Sequence, residues 1–184
     1  MPPPIDFVIG FIAISYFLVI AAATKQHFRP GKYPAGMYVI SALSLIGIIT
    51  FMTYAFVWGL AYAAAPLTLM LVAFVLFFWA ILHSKKTELP LAFDEGAHVS
   101  GIITSGPWAY VRHPFYVSYT LFWSGCAIAT MSQASALVSA TLIVIYIYSA
   151  MKEEKTLRTG PHGDTYLTYR SSTGFCLPNF WSRN

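Results

Sequence analysis

Five apolar runs, separated by short segments that hold nearly all of the charge, constrain this chain more than any other feature. The first extends from Ile5 to Thr24, with Asp6 at its edge as its sole charge. About twenty apolar residues cross the hydrocarbon core of a bilayer, so the run reads as a transmembrane helix. With no basic leader and no small-residue cleavage site, it is expected to stay as an anchor. The second run extends from Ala35 to Trp58, and its Gly36, Ser41, Ser44 and Gly47 suit close helix packing. The third opens at Pro66, a residue favoured in the first helical turn, and ends at His83. The fourth spans Phe115 to Met131 and the fifth Ala134 to Met151, with Ser132 and Gln133 as a tight turn between them. Trp58, Tyr62 and Trp79 lie near span ends, where interfacial aromatics collect.

Charged residues make up only 10% of the 184 residues and hydrophobic ones 57%, whereas soluble domains carry about 25% charged residues. The expectation is a single all-α polytopic membrane domain, 1–184, with five transmembrane helices. In it, 1–84 supplies three N-terminal helices and 85–184 a catalytic loop, a helix hairpin and a tail. The net charge of +4 is not a nucleic-acid signal, because all eleven Lys and Arg residues fall on one side of a five-span topology. The positive-inside bias then places the N-terminus outside and the Ser84–Arg112 connection and the tail from Lys152 in the cytoplasm. For a bacterial chain this means the inner or plasma membrane. Cys126 and Cys176 form no CxxC pair, and the five histidines show no metal-ligand spacing, so neither a disulfide nor a metal is expected. Nucleotide-loop, zincin and hydrolase-elbow motifs are absent from the sequence.

Two polar clusters remain. Pro114 sits where the fourth helix would begin, which puts Arg112 and His113 at its positive end. Free backbone N–H groups and a guanidinium there suit a carboxylate or phosphate. Glu153 and Glu154 close the fifth helix, at the negative end of its dipole, where acids are unfavourable unless a cation meets them. The tight turn makes the two helices antiparallel neighbours, so both clusters end at one level. A cation-accepting acid beside an anion-accepting helix start is what a zwitterionic, cationic ligand requires. An aromatic belt and a solvated collar are the plainer readings of the same residues.

Thr104 to Tyr116 (Thr-Ser-Gly-Pro-Trp-Ala-Tyr-Val-Arg-His-Pro-Phe-Tyr), an apolar hairpin, Glu153-Glu154-Lys155-Thr156-Leu157 and Gly163 to Tyr169 follow one another in order. This pattern resembles the isoprenylcysteine carboxyl methyltransferase family and the related phospholipid methyltransferases over about residues 98 to 180. The resemblance implies a cytoplasm-facing pocket for S-adenosyl-L-methionine. Ser100, Ile102, Ile103, Trp108, His113, Pro114, Phe115 and Tyr116 would line it, with Glu153 and Glu154 on its second side. Arg112 and Glu153 would act at the reacting centre, Arg112 taking the cofactor's carboxylate and Glu153 a cationic group. Trp108 and Tyr116 offer aromatic faces to adenine or the sulfonium.

This sequence departs from the family pattern at four places. Ser100 stands where the family often has His, two residues after His98; Trp108 stands for Tyr, Ser149 for a substrate-contacting Arg, and His162 for Phe.

The implied reaction is methyl transfer to a lipophilic acceptor entering from the bilayer, with no obligate protein partner. A carboxylate of an isoprenylcysteine-like molecule is the favoured acceptor, since it needs no general base. The alternatives are a phospholipid amine N-methyltransferase, a sterol-reductase-type NADPH enzyme, and a non-catalytic membrane subunit with His83 and His98 as iron ligands.

Overall fold

The protein is described by a computed structural model covering residues 1–26, 34–84 and 101–179. In a bilayer every backbone polar group must find its partner within the chain, and apolar runs do so as helices. Six helices form among the described residues: α1 (Pro4–Gln26), α2 (Ala35–Thr53), α3 (Ala64–Ser84), α4 (Pro114–Thr130), α5 (Gln133–Thr159) and α6 (Gly163–Ser172). A π-helical turn, Tyr54–Trp58, continues α2, and a 3-10 turn, Gly106–Ala109, precedes α4. The fold is all-α, as the apolar runs imply.

Four helices are long and apolar enough to cross a membrane: α1, α2 with its π-helical turn, α3 and α5. α4, at 17 residues, stops short of that length. It packs between α3 and α5, and both of its ends are fixed by the sequence. Pro114 starts it; Met131, in the left-handed region at φ 48°, ends it and reverses the chain. The Ser132 side chain then accepts a hydrogen bond from the Ser135 amide at 3.1 Å, an N-cap that opens α5. The reversal thus falls at Met131 and Ser132, one residue earlier than the sequence suggests.

The end of the bundle away from the polar clusters is tied by backbone groups. Asp6 is buried, and its carboxylate accepts from the Leu60 amide at 2.8 Å. The Ala61 amide donates to the Ala129 carbonyl at 2.7 Å, satisfying a group that the end of α4 leaves open. In the interior, Tyr16, Ser118 and the Ala73 carbonyl form a hydrogen-bonded knot joining α1, α4 and α3. Gly47 makes room on α2 for the Trp123 side chain, since a Cβ there would lie 2.7 Å from that ring.

α5 continues well past the apolar run that ends at Met151. Its 27 residues extend about 40 Å at 1.5 Å per residue, against about 30 Å of hydrocarbon. Its last turns, with Glu153 and Glu154, therefore project beyond the membrane. The segment after α6 folds back under the start of α4: Val111 and Gly174 form an isolated parallel bridge, and the Arg112 amide donates to the Gly174 carbonyl at 2.8 Å.

Candidate functional site

Pro114 begins α4 and leaves His113 as its N-cap residue, with Arg112 just outside. The α4–α5 hairpin brings Glu153 and Glu154 level with them, as expected from the tight turn. The two acids then separate in role. Glu154 turns inward, where its Oε1 accepts from Arg112 Nε at 2.6 Å and from His113 Nε2 at 3.2 Å, while Oε2 lies 3.3 Å from Arg170 Nε. Arg112 also donates to the Arg170 carbonyl at 3.3 Å and, through the same Nη1, to the Thr173 carbonyl, and its guanidinium lies over the Phe175 ring. Burial pushes the Glu154 carboxyl up, but the His113 and Arg112 hydrogen bonds and charges outweigh this and hold it down, at about 2.

Glu153 takes the other direction. Its side chain is 35% exposed, and its Oε2 lies 3.7 Å from His113 Nδ1, beyond hydrogen-bond reach. It faces a cavity whose walls also include Trp108, Arg112, His113, Pro114, Phe115 and Tyr116. The structure thus brings together on one surface seven of the residues singled out in the sequence. Ile102 and Ile103 are partly buried and pack against the core nearby, outside the cavity lining. Glu154 stands behind the wall, engaged by Arg112, His113 and Arg170. Ser100 and His98 lie outside the described residues. His83 donates to the Trp79 carbonyl at 3.0 Å through Nδ1, and its ring covers Gly106.

The tail fixes the aromatic side of the cavity. Tyr169 donates its hydroxyl proton to the Trp108 carbonyl at 2.8 Å, and Trp108 meets Phe115 edge-on at 5.7 Å between ring centroids. Trp108, buried in this way, is held as a wall and not displayed as an interfacial belt residue.

Sequence reasoning missed more than half of the lining. Tyr119 and Trp123 follow Tyr116 along α4, and Tyr146 precedes Glu153 by two turns of α5. Spacings of three, four and seven residues put side chains on one helix face, so this stripe was open to view once Tyr116 and Glu153 were chosen. Phe17, Ile20 and Thr24 of α1 and Met37, Ile40 and Ser44 of α2 complete the cavity. Nothing local marks these six, because they become wall residues only through the packing of α1 and α2 over the hairpin. The cavity is therefore polar at the Arg112–Glu153 end and aromatic, with neutral hydroxyls, at the other.

A family model described as phospholipid methyltransferase matches residues 67–160, just over half of the chain. The chain belongs to the phospholipid methyltransferase family. The match contains Trp108, Arg112, His113, Tyr116, Glu153 and Glu154, and leaves α1, α2 and the tail outside it. Membership in this family agrees with the resemblance carried by the three motifs, and with the apolar helices it marks an integral membrane protein. The chain is also similar to a protein named methanethiol S-methyltransferase from Crocosphaera subtropica, 27% identical over 147 residues. That alignment covers 79% of this chain and 53% of the relative, so the chain spans about half the relative's length. No solved structure matches it.

Proposed function

We propose that this phospholipid methyltransferase family member moves a methyl group from S-adenosyl-L-methionine to a lipophilic acceptor at the membrane. The observation that carries the reading is one cavity in which Glu153 and His113 meet an aromatic chamber between apolar helices. The residues present fit the cofactor's chemistry. Glu153 offers a carboxylate to a cationic group, the start of α4 offers positive backbone dipole to a carboxylate, and Trp108, Phe115 and Tyr116 offer apolar and aromatic surface. Pro114 belongs to the same binding surface, and Ile102 and Ile103 back it from the core.

Bound there, the cofactor supplies a methyl group already activated on a sulfonium. The chain's task is then to bind, orient and exclude water. Glu153 holds the cationic side of the site, and His113 is fixed by Glu154 so that its ring stays against Tyr116. Arg112 takes a positioning role as well as a wall position, since Glu154 holds its guanidinium. Trp108 and Phe115 keep the polar mouth dry on one side.

The topology proposed with this activity has five crossings, α4 being a short inner one, with the N-terminus outside. The polar mouth then opens to the cytoplasm, from which the cofactor enters, and the acceptor enters from the bilayer. A carboxylate acceptor is the reading from the sequence. A thiol acceptor is the second reading, favoured by the activity for which the Crocosphaera relative is named. Incubating the purified chain with methyl-labelled S-adenosyl-L-methionine and membrane extract tests the activity. Label in the lipophilic phase is expected; absence of both transfer and cofactor binding would contradict it.

A further inference from the structure

Behind the polar mouth the cavity wall carries three tyrosines, of which the resemblance in the sequence reaches Tyr116 alone. Tyr116 and Tyr119 share one face of α4, and Tyr146 meets them from α5. Their ring centroids lie 6.4 Å apart for Tyr116 and Tyr119, 5.9 Å for Tyr116 and Tyr146, and 5.5 Å for Tyr119 and Tyr146. Tyr116 and Tyr146 are nearly parallel, at 21°, while Tyr119 is turned 71° and 50° from them, so the rings form a corner and not a flat wall. They pack on one another, so a ligand meets their cavity side and does not pass between them. Trp123 holds the corner in place, its indole N–H donating to the Tyr146 hydroxyl at 3.2 Å.

A sulfonium is a cation with no N–H or O–H to donate, so hydrogen bonds cannot hold it as they hold an ammonium. A carboxylate set against its methyl group would itself be a nucleophile. An aromatic face attracts the charge through the ring quadrupole and brings no such rival. Reach puts the sulfonium at the tyrosine corner. The cofactor's ammonium and sulfur are four bonds apart, at most about 5 Å, and the ammonium would sit about 3 Å from the Glu153 carboxylate. The sulfur then lies within about 8 Å of that carboxylate. Tyr146 is seven residues before Glu153 on α5, about 10 Å along the axis. Tyr116 is nearer still: its ring lies 5.8 Å from that of His113, whose Nδ1 is 3.7 Å from Glu153. Arg112 does not oppose a cation there, because its guanidinium is held by Glu154 and the Thr173 carbonyl.

We propose that Tyr116, Tyr119 and Tyr146 form the sulfonium subsite, holding the methyl-bearing cation of the cofactor against their ring faces. The proposal rests on the methyl-transfer reading of the same cavity and adds Tyr119 and Tyr146 to the residues that touch the reacting group. Glu153 and the tyrosine corner then divide the work: the carboxylate fixes the ammonium at the mouth, and the rings fix the sulfonium further in. Such a subsite senses charge. The loaded cofactor is a cation at sulfur and the spent one an uncharged sulfide, so the rings favour the first over the second.

The test titrates the full chain in nanodiscs, by calorimetry, with S-adenosyl-L-methionine and with S-adenosyl-L-homocysteine, its uncharged sulfide. Tyr119→Leu is expected to weaken the sulfonium form about tenfold, the size of a desolvated cation–π contact, and the sulfide by no more than about twofold. Tyr119→Phe keeps the ring face and is expected to bind the sulfonium within about twofold of wild type. A series of phenylalanines at position 119 with increasing ring fluorination keeps the packing while draining negative charge from the face. Across that series the sulfonium affinity is expected to fall stepwise and the sulfide affinity to stay level. Parallel loss of both ligands, or loss of neither, across the fluorinated series would overturn the proposal, since the rings would then only shape the wall. A wild-type chain that binds neither ligand would overturn the methyl-transfer reading instead.

Discussion

Arg112 Nε donates to Glu154 Oε1 across 2.6 Å, joining the residue two before α4 to the last turns of α5. Both side chains are over nine-tenths buried. A buried pair of this kind says little about net stability while intact, yet breaking it by removing one partner costs up to about 3–5 kcal/mol, less for loss of Arg112, since Arg170 and His113 still meet Glu154. Arg112→Ala and Glu154→Ala are both expected to lower the thermal midpoint in detergent sharply and to expose the tail after α6 to proteases. An unchanged midpoint in Arg112→Ala would show that the pair does not hold the hairpin to the tail.

The same pair predicts a pH dependence. Glu154 is depressed from its ordinary 4.5 to about 2 in the folded chain. A depressed carboxyl contributes stability that is fully present above the unfolded value and is lost as pH falls through the folded one. The stability difference between wild type and Glu154→Gln is therefore expected to hold steady from neutral pH down to about 4.5 and to shrink toward pH 2. Denaturant midpoints measured across that range check it; a difference independent of pH would count against the assignment.

Adjacent acids are expected to behave differently. Glu153→Gln removes the carboxylate that faces the cavity, and its loss should abolish cofactor binding with little change in thermal midpoint. Glu154→Gln should do the reverse, lowering stability first. His113→Ala touches both acids and should weaken cofactor binding while leaving far-ultraviolet helicity intact. Parallel calorimetry and thermal scans of the three variants decide this.

Gly106 adopts φ 62°, and a Cβ there would run into the His83 ring. Gly106→Ala is expected to destabilise by about 1–3 kcal/mol, the usual cost of a side chain held in a sparsely populated backbone region with a clash added. The double variant His83→Ala/Gly106→Ala removes the clash and should recover part of that loss. No recovery would mean that the backbone conformation alone carries the cost.

How much of this was legible in the sequence differs by distance along the chain. The apolar runs located the helices closely: Ile5–Thr24 became Pro4–Gln26, and Ala35–Trp58 became α2 with its π-helical turn. Helices in membranes are local, so composition and length suffice. The meeting of Arg112 and His113 with Glu153 and Glu154 also followed from one short turn. The division of labour between Glu153 and Glu154 did not, because it depends on which side of α5 faces the tail, and α6 itself was not foreseen in a polar, weakly periodic segment. The α1–α2 wall was out of reach for the same reason: Ile20, Ile40 and Ser44 acquire meaning only from long-range packing.

The central claim is that Glu153 and its cavity bind S-adenosyl-L-methionine. Calorimetric titration of the cofactor into the purified full chain, beside Glu153→Gln and a fully folded reference scan of each, tests it most directly. Saturable one-to-one binding by the wild type, lost in Glu153→Gln at an unchanged thermal midpoint, is the expected result. Equal affinity in the two proteins would contradict it.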